Sequence, residues 1–183
     1  MNEVELIRAQ LSLERQHAAA VSHALSAAAA QRGDGLATLD TFREASVDYL
    51  VWTLSRFEER EQVFHDLIRT RDVDRRAIDE VFALSGTSRE ALAKLEAALR
   101  SGSDGDPQSG PRVWAEFLQF FDGAWRTRRD SLEKFFAQHA RITDWRAMSA
   151  IDADSILDER TRYSRVLASL PAGIELPPTT SRV

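Results

Sequence analysis

The sequence predicts an all-α protein, an antiparallel up-down four-helix bundle with an additional C-terminal helix. Three observations predict it. Apolar residues recur at steps of three and four over long stretches, the spacing of a core-facing helical stripe. Val and Ile occur singly, without the alternating runs of a half-buried strand. The long periodic stretches are joined by much shorter links, which places successive helices antiparallel to one another.

The first helix spans about Asn2 to Gln31, with Val4, Ile7, Leu11, Ala18, Val21, Leu25 and Ala28 on one face. The segment 32–36, Arg-Gly-Asp-Gly-Leu, ends it. The second helix spans about Asp40 to Arg69 and aligns Leu50, Leu54, Phe57, Phe64 and Ile68. A third runs from Val73 to Leu84, breaks at Ser85-Gly86, and restarts at Thr87 with Glu90 three residues on, a capping box. Residues 101–112 are rich in Ser, Gly, Asp and Pro and cannot continue a helix. The fourth helix, Val113 to His139, carries Trp114, Phe117, Phe121, Trp125, Leu132 and Phe135. A fifth, Ala153 to Ser169, aligns Ile156, Tyr163, Leu167 and Leu170. Residues 1–170 therefore form one helical domain, and 171–183 an extended or disordered tail.

The chain has 183 residues, 43% of them hydrophobic and 29% charged, the balance of a globular domain that can bury a core. Its net charge of −5 argues against nucleic acid or an anionic membrane as partner. No apolar run approaches the roughly 18 residues that cross a bilayer. There are no cysteines, so disulfides, thiolate metal sites and a cysteine nucleophile are excluded. The N-terminus lacks the basic-then-apolar plan of a signal peptide, and the expected location is cytoplasmic.

Three charges interrupt the apolar stripes: Glu14, Glu61 and Arg128. At about 100° per residue each falls within roughly 20° of its stripe's centre. A buried charge is costly unless it is paired or binds metal. One expectation is a buried network in which the planar fork of Arg128 serves both carboxylates. The other is a metal site built from Glu14, His17, Glu61 and His65, with His139 close to the same line. Helical bundles bind paired metals in this way, and Glu14-x-x-His17 has the i, i+3 spacing that puts both groups on one ion. His23 points away from the core. Asp144-Trp145-Arg146 reads as a packed turn, with a site as the alternative, and Tyr49 and Trp52, off the main stripe, as contacts to the fifth helix first, then to a dimer partner or a ligand. No phosphate loop, nucleophile elbow or His-Glu-x-x-His motif is present.

The stretch Leu11-Ser12-Leu13-Glu14-Arg15-Gln16-His17, followed by Arg56-Phe57-Glu58-Glu59-Arg60-Glu61-Gln62-Val63-Phe64, resembles the hemerythrin-like (HHE cation-binding) bundles. The resemblance covers the first, second and fourth helices. It implies an up-down bundle with His17 as the first ligand and Glu61 as the bridging glutamate. Phe57 stands where the second-helix histidine would be. Arg129-x-x-x-Glu133 echoes the same pattern without its histidine, and the third helix has none. The implied site is therefore degenerate or remodelled, and intact oxygen-carrying di-iron chemistry is not expected.

Three functions follow as expectations. The first is a hemerythrin-like protein with a remodelled site that binds or senses Fe, Mn or Zn. The second is a non-catalytic interaction protein, a homodimer, with Glu14, Glu61 and Arg128 as a specificity lock. The third is a ligand-binding bundle or enzyme with an aromatic pocket near Phe121 and Trp125, in which a desolvated Glu61 serves as general base.

Overall fold

The computed structural model describes residues 2–30, 36–83, 126–150 and 154–176, with single positions at 90, 91, 93, 94, 96, 97, 116, 119 and 123. Every regular element among them is helical: α1 (Glu3–Ala30), α2 (Leu36–Ile68), α3 (Arg75–Phe82), α4 (Arg126–His139), α5 (Ile142–Ala150) and α6 (Ser155–Ala168). None is long and apolar enough to cross a membrane. The predicted restart at Thr87 and the aromatic residues Trp114, Phe117, Phe121 and Trp125 lie outside the described residues.

The chain divides into two compact units. The first comprises Met1–Leu54 and Ser149–Val183. Its core is the C-terminal half of α1, where Ala18, Val21, Leu25 and Ala28 are buried together with Ala20 and Ala24. Alanines on two faces let neighbouring backbones approach closely and carry full helix propensity. From α2 come Phe42, Tyr49, Leu50 and Leu54, and from α6 comes Val166. α6 packs on α1. After α6 the chain turns back at Gly173, whose φ of 82° suits a residue without Cβ. That turn buries Ile174, inside the segment read from sequence as a tail.

The second unit, Ser55–Met148, is built around aromatic rings. Phe64 meets Phe136 edge-on at 4.3 Å between centroids, and Phe135 at 6.2 Å. Phe82 of α3 joins them, 6.5 Å from Phe64 and 6.3 Å from Phe135. Edge-to-face pairs of this kind add about 0.5–1.5 kcal/mol each beyond burial. Asp74 caps α3 by accepting the Arg76 N–H at 2.9 Å.

α5 occupies the stretch read from sequence as a packed turn. It begins where Asp144 reaches back to accept the Arg141 N–H at 2.7 Å, satisfying a donor at the helix start. The same carboxylate, 1% exposed, accepts from the Arg71 guanidinium, which also donates to the His139 carbonyl at 3.3 Å. Burial pushes the Asp144 carboxyl up. The Arg71 hydrogen bond, the Arg141 amide and the Arg71 charge outweigh it and hold the group below its usual range. One arginine thus ties the loop after α2 to the junction of α4 and α5.

Removing the cation while leaving the buried acid is the costly direction. Arg71→Ala is expected to lower stability by about 2–4 kcal/mol in urea denaturation. A loss below about 0.5 kcal/mol, the level of a surface pair, would sink this account of the clamp.

Candidate functional site

The strongest polar constellation lies in the first unit and gathers three helices around one carboxylate. Glu159, on α6, is 2% exposed. Its Oε1 accepts from the Tyr49 hydroxyl of α2 at 2.8 Å. The same oxygen lies 2.8 Å from Nδ1 of His17 on α1. Burial raises the Glu159 pKa, but the hydrogen bonds from His17 and Tyr49 and the nearby His17 charge outweigh that and hold it below its usual value. Glu159 is therefore ionised at neutral pH and can only accept, so His17 carries its proton on Nδ1. Tyr49 is fully buried. Burial first, then the adjacent carboxylate, pushes its phenol far above the ordinary value, so it remains a donor.

The imidazole is also fixed from its face. Tyr163, one turn after Glu159 on α6, stacks on His17 at 4.0 Å with 9° between planes. Its ring lies 5.6 Å from that of Tyr49. Burial and Glu159 together raise the Tyr163 phenol as well. The His17 side chain remains 12% exposed. Its Nε2 has no partner among the described residues.

Of the sequence-derived candidates, Glu14 is buried as its stripe position implies, one turn before His17, and accepts from Gln10 Nε2 at 3.1 Å. His17 is turned to Glu159 rather than to Glu14. Glu61, half-buried, and His65 lie on the part of α2 that belongs to the second unit. The His65 ring rests 4.7 Å from Phe82, with Nδ1 3.6 Å from Asp66. His139 packs on Phe135 at 4.5 Å, and His23 is exposed. Arg128 is in α4, and its side chain lies outside the described residues. Among the described residues no group of three or more His, Asp or Glu side chains could hold a metal ion. Within the node, Nδ1 of His17 and Oε1 of Glu159 are already used on each other.

Sequence reasoning missed Glu159 and Tyr163 as site residues because it set the phase of the last helix from its apolar residues. The observed buried face carries Ser155, Glu159 and Val166. Ile156, Leu157 and Leu167 are exposed, Leu157 by 71%. Ile156 and Leu167, two members of the stripe read from sequence, thus lie off the inner face, whereas Tyr163, a third, stacks on His17. Tyr49 and Trp52 do meet this helix: Tyr49 through Glu159 and Tyr163, Trp52 through the Arg162 guanidinium 5.5 Å from its ring.

No protein-family model, curated protein or solved structure matches the chain.

Two consequences are measurable. A carboxyl whose folded pKa lies below its unfolded value adds stability that is present above the unfolded value and lost as pH falls through the folded one. Glu159 and Asp144, depressed from 4.5 and 3.8, should thus make the fold progressively less stable on acidification below about pH 4.5. Stability of Glu159→Gln measured across pH 3–6 should show a shallower acid limb than wild type; parallel limbs would remove Glu159 from the account. Tyr49→Phe, which deletes one of the two donors, should cost about 1–2 kcal/mol in chemical denaturation.

Proposed function

We propose that this is a non-catalytic helical bundle protein of hemerythrin-like type, in which a hydrogen-bonded node takes the place of a metal centre. The observation that carries this reading is the single buried oxygen of Glu159 serving both His17 and Tyr49. His17 is the residue the resemblance assigns as first ligand, and here its Nδ1 is committed to a carboxylate of the last helix. A node whose buried carboxylate oxygen is matched by two donors locks three helices together. An up-down four-helix arrangement and a role in interaction with other molecules, including a second copy of the chain, belong to this reading.

A second reading rests on one feature, the unpartnered Nε2. Metal-ligating histidines commonly donate their other ring N–H to a carboxylate, which fixes the tautomer and aims the ligating nitrogen. The His17–Glu159 pair has that form. In this reading Glu159 is the outer partner and His17 the ligand, with Glu14 the nearest further carboxylate on α1.

Elemental analysis of protein purified without chelator separates the two. The first reading expects Fe, Mn and Zn well below one equivalent and a melting temperature indifferent to EDTA. About one equivalent of metal, abolished by His17→Ala, would overturn it in favour of the second. The first reading also expects Glu159→Ala, which strands two buried donors, to cost about 2–4 kcal/mol of stability.

A further inference from the structure

A groove of about 950 Å³ runs along the first unit between α2 and α6. One wall is acidic: Glu44 and Asp48, with Thr41 and Ala45, all from α2. The other is basic: Arg162 and Arg165, with Ala168 and Ser169, from α6 and the residue that ends it. Residues earlier on α2 share the groove with residues later on α6, so the two helices run antiparallel along it. Two opposed charged rungs result. The first is closed: Arg162 Nη1 donates to Asp48 Oδ2 at 2.5 Å, and its guanidinium also lies over the Trp52 ring. The second, one turn further along, is open. Neither the Glu44 carboxylate nor the Arg165 guanidinium has a hydrogen-bond or ion-pair partner among the described residues, although both residues line the same space.

The small side chains explain why space remains there. Ala45 and Ala168 face the groove where longer aliphatic residues would fill it. Two opposite charges held apart across a cleft present an anion-accepting fork on one side and a cation-accepting carboxylate on the other. The guanidinium takes a carboxylate through two parallel N–H bonds, and a carboxylate accepts well from an ammonium group. A purely anionic ligand would meet the Glu44 charge, and a purely cationic one the Arg165 charge. The volume is within the range of small-molecule sites. From this geometry we infer that the groove binds a small zwitterion, an α-amino acid or a short peptide, with its carboxylate on Arg165 and its ammonium on Glu44. The paired Asp48–Arg162 rung, one turn along the same groove, borders the space left for the ligand's side chain. This inference does not depend on the function proposed for the buried node.

Isothermal titration calorimetry on the full chain tests it, with free amino acids of differing side chains, dipeptides, and two half-ligands, acetate and methylammonium. Saturable binding of at least one zwitterion is expected, with neither half-ligand binding at comparable concentration. Glu44→Gln and Arg165→Gln, both at exposed positions, should each weaken that binding by about tenfold or more. Glu80→Gln, on the other unit, should leave it unchanged. Absence of saturable binding by any zwitterion, binding of acetate alone with wild-type affinity, or indifference to both variants would each overturn the proposal.

Discussion

The first unit depends on the requirement that an ionised carboxylate be fully solvated by protein once water is gone. Glu159 is placed where an aliphatic residue would ordinarily sit, and burying it unpaired would cost several kcal/mol. The two donors that meet it come from α1 and α2, 142 and 110 residues away in sequence. The rotation of α6 follows from that match. With Glu159 inward, Ser155 and Val166 share its face, and Ile156, Leu157 and Leu167 are carried out to solvent. Exposing apolar area is the lesser cost, because isolated surface aliphatics lose only part of their transfer free energy.

The second unit answers the same physical demand differently. Asp144 is as buried as Glu159, and its partner is a permanent cation rather than a neutral hydroxyl and an imidazole. Arg71 cannot lose its proton, so the clamp is insensitive to pH until Asp144 itself is protonated. The Glu159 node instead pairs its carboxylate with an imidazole and with the phenol of Tyr49, which burial keeps as a donor. The two buried acids therefore differ in character: one is an ionic staple, the other a hydrogen-bonded junction of a carboxylate, an imidazole and a phenol.

The legible parts of the chain were those governed by short-range rules. The stripe Leu50, Leu54, Phe57, Phe64 and Ile68 was readable because large apolar residues repeat at helical spacing and burial follows repetition. Glu14 was recognisable as an intruder for the same reason: its neighbours Leu11, Ala18 and Val21 define the face it interrupts. The packing of Tyr49 and Trp52 on the last helix was also accessible, since aromatics off the main stripe need a second neighbour. Glu159 was not, because its inward position depends on His17 and Tyr49 being opposite it, and no local pattern encodes what lies across a gap of more than a hundred residues. α5 escaped for a related reason. Its start rests on Asp144 reaching back to Arg141, while the surrounding Ile-Thr-Asp-Trp-Arg carries no extended apolar period.

By itself, the sequence determined that the chain is helical, where its longest helices run, which face of α2 is apolar and that a carboxylate at position 14 would be buried. These follow from propensity and periodicity, which act within a few turns of helix. Tertiary structure alone decided which charges meet. It turned His17 toward Glu159 instead of Glu14, set the phase of α6 against its own apolar residues, and gave Asp144 to Arg71. The energy of a buried charge depends on the donors that surround it in space, and that arrangement exists only once distant segments have packed.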